Sequence, residues 1–189
     1  MADDLKRVVL WKNLLLGGTD YCALWHTPEG WLLEGTVVGV LEDRRPVLAT
    51  YEVHCDKKWH THRVQVERTI GTDVKTLSLI VESRGLWRSS GRELREAEGC
   101  VDVDLALTPA TNTLPIWRLD LPIGRTESVI AAWVKLPDLA VQRLPQHFQP
   151  VIEGLLSQPA PEGYLAYLRL KLEQLSGGKL RPKEQAITR

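Results

Sequence analysis

CVDVDLALTPATNTLPIWRLDL, residues 100–121, is the stretch on which the fold turns. Val101, Val103, Leu105 and Leu107 alternate with Asp102, Asp104, Ala106 and Thr108. This is the period-two pattern of a strand with one apolar face and two carboxylates on the other. A run of hydroxyls and one amide follows, Thr108-Pro109-Ala110-Thr111-Asn112-Thr113-Leu114-Pro115, with a proline near each end. Threonine and asparagine side chains bond readily to nearby backbone, so the run reads as an irregular loop held by its own side chains. Beyond it, the spacing of Ile116, Arg118 and Asp120 predicts a second strand over 116–121, with Arg118 meeting an aspartate across the ladder.

Outward from this segment, alternation punctuated by turn signals recurs along the chain. Thr27-Pro28-Glu29-Gly30 and Asp56-Lys57-Lys58 separate strand-like runs at 21–25, 31–41, 47–55 and 59–68. Further runs occupy 74–82, a short piece around Trp87, and 128–136. The predicted class is mainly β with little helix: one domain over residues 1–180 built as an antiparallel meander, with 181–189 a frayed tail. A single meander must curl to keep one face dry, which predicts a strongly curved sheet, a half-barrel. One parity of each strand, including Trp31, Leu33, Val37, Val101, Val103 and Leu105, then faces a shared interior. In a lipid carrier that interior keeps an apolar cavity of at least ~300 Å³. Close packing there, with no helix or loop able to lift away, leaves only a stable β scaffold and sinks the lipid-binding reading. Residues 139–157 have near-helical apolar spacing broken by Pro145 and Pro150, leaving room for one short helix after Pro150. Residues 165–175 alternate as a strand.

The segment around the threonine run resembles the signature of the bacterial putative glycolipid-binding family, Asp-Leu-x-x-Thr-Pro-Ala-Thr-Asn-Thr-Leu-Pro-Ile-x-Arg-Leu. It is matched by Asp104, Leu105, residues 108–116, Arg118 and Leu119. Looser landmarks follow the family's order: Leu10-Trp11, Trp31, Leu33-Glu34-Gly35, Tyr51, Asp56, Trp59, Gly99-Cys100 and Ala131-Ala132-Trp133. The resemblance spans about residues 10 to 137. It implies a fold like that of bacterial lipoprotein carriers, and an amphiphile, a glycolipid or other lipid, as ligand.

Composition narrows the alternatives. With 24 basic and 24 acidic residues, dispersed except for Lys179, Arg181 and Lys183, no footprint for nucleic acid is visible. No apolar run reaches the ~20 residues of a membrane helix and no signal-peptide pattern is seen, so a cytoplasmic protein without stable membrane insertion is expected. Cys22, Cys55 and Cys100 are odd in number and lack a Cys-x-x-Cys spacing, which reads as core filling. His54, Cys55, Asp56, His60 and His62 form a metal-like cluster, but His54 and Cys55 point to opposite strand faces, so exposed polar histidines and no metal are expected. No phosphate loop or nucleophile elbow occurs, so no cofactor is predicted and nothing demands an enzyme.

Seven tryptophans against one phenylalanine suit the rim of a half-wet cavity and the C–H faces of sugars. The candidate ligand-binding residues are Trp31, Tyr51, Trp59, Asp104, Thr108, Asn112, Thr113 and Arg118. The same Asp, Asn, Thr and Arg groups also admit a structural role, as an ion pair and loop-holding bonds. The function expected is non-enzymatic binding of an amphiphile in the concave face of the sheet. Two alternatives are a glycoside or ester hydrolase using Asp102 and Asp104 as paired carboxyls, and a module pairing its strand edges with a protein partner.

Overall fold

The computed structural model describes residues 3–13, 17–82, 85–106, 108–122 and 125–148. Eight strands, β1 (Asp4–Lys12), β2 (Gly18–His26), β3 (Gly30–Val40), β4 (Pro46–Asp56), β5 (Thr61–Ile70), β6 (Asp73–Glu82), β7 (Leu86–Ser89) and β8 (Arg92–Glu93), pair antiparallel in sequence order. This is the mainly β meander that the alternation predicts. β4 shows why: Val47, Ala49, Tyr51, Val53 and Cys55 are buried, while Leu48, Thr50 and Glu52 between them face solvent.

A second, three-stranded sheet is built from β9 (Asp102–Leu105), β10 (Glu127–Val134) and β11 (Val141–Phe148) in the order β11-β10-β9. β10 and β11 are antiparallel, whereas β9 runs parallel to β10, a departure from the all-antiparallel expectation. The parallel pair is possible because a long crossover carrying α1 (Thr113–Leu119) separates the two strands. Neither sheet closes on itself. The inner face of the large sheet is kept dry by a cover: Val103, Leu105, Ala110, Leu114, Ala132 and Val134 share one apolar core with Leu33, Val53, Val64, Leu79 and Trp87.

Polar groups stitch the two layers. Arg68, 2% exposed, donates from Nε to the Pro137 carbonyl (2.6 Å) beyond β10 and from Nη1 to the Asp73 carbonyl (2.8 Å), and pairs with the Asp73 carboxylate at 2.7 Å. Trp87 donates its indole N–H to the Cys100 carbonyl (2.9 Å).

Two sequence expectations are corrected, and one undecided segment takes a definite form. Residues 116–121 are not a strand: Thr113–Leu119 is an α-helix, ended by Asp120 in the left-handed region. Pro115 sits in its first turn, where a missing N–H costs no helical hydrogen bond. Residues 141–148 form a strand despite Pro145 and the near-helical apolar spacing; Pro145 lies opposite Ile130 on an edge strand, the place a sheet tolerates proline. Asp102 does not lie on a wet face but is 1% exposed, while Val101, expected inside, is 38% exposed. The strand over 165–175 and the helix after Pro150 lie outside the described residues.

Gly35 has a steric reason. The Tyr51 ring crosses directly over it, so a Cβ there would lie 2.4 Å from the Tyr51 hydroxyl and 2.7 Å from the Tyr21 carbonyl. We expect Gly35→Ala to destabilise the protein by about 1–3 kcal/mol through overpacking, measured by urea unfolding. A change within about 0.5 kcal/mol would contradict this packing.

Candidate functional site

The threonine run docks onto the inner face of the large sheet. Thr108 donates its hydroxyl to the Asp20 carboxylate, and the same hydroxyl accepts the Ala110 N–H (2.9 Å), capping the short 3₁₀ turn Pro109–Asn112. Tyr51 donates to the same carboxylate at 3.0 Å. Asp20 on β2, only 3% exposed, is thus the floor on which the loop rests. Burial pushes its carboxyl above the ordinary value, against the two hydroxyls that favour the charged form.

The next threonine works on β9. Thr111 accepts the Leu105 N–H (3.2 Å) and donates to Asp104 (3.5 Å), whose other oxygen accepts from the Gln146 amide at 2.5 Å. Burial raises the Asp104 carboxyl, opposed by the Gln146 and Thr111 bonds. Arg118, projecting from α1, grips Asp102 with two parallel bonds of 3.1 and 2.5 Å. The expected arginine–aspartate pair therefore exists, made from a helix and not across a ladder. Asp102 and Asp104 are each engaged by their own partner, and neither lines the groove or the hollow described below.

Trp31, Trp59 and Trp117 form a continuous stack. Ring centroids are 4.5 Å apart between the first pair and 5.6 Å between the second, nearly parallel, with His26 edge-on to Trp31 at 4.8 Å. Trp59 is not part of β5. It sits at φ 69° in a tight loop where the Asp56 carboxylate accepts the Lys58 and His60 N–H groups at 2.8 and 2.9 Å. Partial burial would raise the Asp56 carboxyl, but these bonds and His60 hold it below the ordinary range. Both faces of Trp59 are covered by other indoles. Thr113 is buried beside Leu114, and the Asn112 side chain makes no cap bond to the helix it precedes.

The structure thus draws six of the eight predicted residues into two groups, Trp31 with Trp59, and Tyr51, Asp104, Thr108 and Arg118 in the polar stitching, while Asn112 and Thr113 join neither. Among the described residues, the inner side chains they surround are buried and packed together. A hollow between Trp11, Cys22, Leu24, Leu33, Ala110 and Thr113 measures about 20 Å³, the size of one water molecule and far below the cavity expected there. Among the described residues no group of three or more His, Cys, Asp or Glu is placed to hold a metal; His54 and His62 lie ring to ring at 5.9 Å.

The larger concavity, about 470 Å³, lies on the opposite, outer face of the large sheet. Its wall is polar: Tyr21, Thr36, Thr50, Thr76 and Ser78 supply hydroxyls, Gln65 an amide, and Glu34, Glu52 and Glu67 carboxylates. The register explains the grouping, since Tyr21, Thr36, Thr50, Glu67 and Thr76 are successive cross-strand partners, and so are Glu34, Glu52, Gln65 and Ser78. These residues were absent from the sequence-derived site. Their outward parity was visible, but their alignment into one groove depends on the pairing of five strands.

The family model described as putative glycolipid-binding matches residues 8–167. The chain belongs to this family. A solved structure, the crystal structure of a DUF1089 family protein (PA1994) from Pseudomonas aeruginosa, is similar to it with a TM-score of 0.62 and 26% identity, covering 76% of this chain and 79% of that one. No curated protein matches the chain. The threonine run of this family member is, by its contacts, a clasp between its two sheets. Among the described residues no helix is long and apolar enough to cross a membrane.

Two measurements check this assignment. Thr108→Val should cost about 1–3 kcal/mol, because it strips partners from Asp20 and the Ala110 N–H, whereas Asn112→Ala should cost under about 0.5 kcal/mol. Equal losses at both positions would contradict the clasp. For pH, a carboxyl raised by folding binds its proton more tightly in the native state. Its stabilising contribution is full below the ordinary 3.8 and is lost as pH rises through the raised native value. Asp104→Asn should therefore gain stability relative to the native chain as pH climbs from about 4 toward neutrality, followed by urea unfolding at several pH values. A flat difference would show that the Asp104 carboxyl is not raised.

Proposed function

We propose that this protein binds an amphiphile, a glycolipid or related lipid, without chemical conversion, and that the polar head lies in the outer groove. The observation that carries the reading is the juxtaposition of two unlike surfaces on one sheet face. Beside the hydroxyl-lined groove of about 470 Å³ runs an exposed apolar strip of Val38, Leu48 and Val74, 56, 46 and 55% exposed. Val38 and Leu48 are direct cross-strand partners, and Val74 follows through Thr69. Tyr21, 52% exposed at the groove wall, offers an aromatic face of the kind sugars stack on.

Magnitudes favour the head over the tail. Each methylene withdrawn from water contributes about 0.8 kcal/mol, so an open strip covering about four of them supplies roughly 3 kcal/mol. The remainder of a useful affinity comes from hydrogen bonds in the groove, for which hydroxyls that both donate and accept are suited. Family membership supports the ligand class. The packed interior argues for the outer face as the seat.

The test is a titration of the full chain with octyl glucoside below its micelle-forming concentration, read by NMR chemical shifts. Saturable shifts centred on Thr36, Thr50 and Thr76, weakened about tenfold by Tyr21→Ala, are expected. No saturable binding, or shifts centred on Leu33 and Leu105, would sink the outer-face reading.

A further inference from the structure

We infer that the groove discriminates by charge, accepting uncharged polyhydroxylated heads and rejecting anionic ones, with Glu34, Glu52 and Glu67 as the specificity-determining residues. This rests on the binding reading above and goes beyond it, because an amphiphile family description says nothing of head charge. The site is the groove itself, a concavity of about 470 Å³ with hydroxyls from β2, β3, β4 and β6. The charge pattern then decides what fits.

Glu34 and Glu52 are directly opposed in register on β3 and β4. Glu67 stands one row away, opposite Thr50. Like charges facing across a ladder are unfavourable, so this placement works against the fold. The described groove wall contains no lysine, arginine or histidine to offset it. Glu34 accepts the Trp25 indole N–H at 2.8 Å, which orients its carboxylate without neutralising it, and His54 reaches Glu52 only at 3.4 Å from outside the wall. A carboxylate oxygen is a strong acceptor for a sugar hydroxyl. It repels a phosphate, sulfate or carboxylate placed at the same distance. Five strands at ~4.8 Å spacing give the groove a length of roughly 19 Å, so a head lying along it meets more than one of the three charges. Arg63, next to the wall, is turned to the Gln65 amide oxygen (2.9 Å), so the wall itself offers an anionic amphiphile three carboxylates and no cation.

A matched pair of probes tests this. Octyl glucoside and octyl glucuronide share ring and chain and differ by one carboxylate. The full chain should bind the glucoside at least about tenfold tighter at ~10 mM salt, with the ratio falling toward unity at ~1 M, where charges are screened within ~3 Å. Glu52→Gln combined with Glu67→Gln should narrow the gap at low salt; both side chains are exposed, and urea unfolding confirms that the variant folds. The salt series on the native chain tests the inference independently of that variant. Equal affinity for the two probes at low salt would overturn the charge reading while leaving amphiphile binding intact. Discrimination that survives both high salt and the double substitution would assign it to shape and also overturn it. Failure of the glucoside to bind would remove both readings together.

Discussion

The Asp20 carboxylate, sealed beneath the large sheet, takes hydrogen bonds from the Tyr51 phenol on β4 and from Thr108 in the threonine run. Three chain segments far apart in sequence meet on one buried acceptor, and much of the architecture follows from satisfying it. Tyr51 must lie flat across β3 to reach Asp20, which is why position 35 has no side chain. Thr108 must stay in place, which sets where the 3₁₀ turn begins and hence where α1 projects Arg118 toward Asp102. An unpaired buried carboxylate is costly, so none of these partners is free to move independently.

The same network explains why the threonine segment is dense in polar residues without being exposed. The cover of one short helix and three strands shares the apolar core through Val103, Leu105, Leu114, Ala132 and Val134, and side-chain hydrogen bonds add the directional constraint that apolar contact lacks. Thr111 closes β9, Gln146 reaches Asp104 from β11, and Arg68 ties the β10–β11 connection to the large sheet. With the inner face filled in this way, the ligand-facing possibilities shift to the other side. There the rows of threonine, glutamate and serine make no comparable set of internal bonds.

Legibility from sequence divided along physical lines. Local alternation was sufficient for the strands at 47–55 and 74–82, because burial on one face leaves a period-two trace in every residue. It failed at 116–119, where the parity of Ile116 and Arg118 imitates a strand and Pro115 conceals the first turn of a helix. The role of Asp20 was invisible, since its partner Thr108 lies 88 residues away and nothing near Asp20 signals the pairing. Composition singles out the tryptophans as a group, yet a stack of Trp31, Trp59 and Trp117 is built around a left-handed Trp59 in the Asp56–His60 loop that composition does not reveal. The outer groove needed the register of five strands at once.

The three cysteines have a consequence for the life of the molecule. Cys22, Cys55 and Cys100 are buried and unbridged, and burial pushes the Cys22 thiol up to about 12. The thiol therefore stays protonated at neutral pH, whereas the thiolate is the form that reacts with oxidants and disulfides. The fold asks nothing of its surroundings by way of electron balance. It needs no bridge to stand, and it hides the groups that a peroxide or a mixed disulfide would damage. A scaffold built this way keeps its shape equally in oxidising and reducing company, and any reactive thiol placed on its outer surface would be chemically alone.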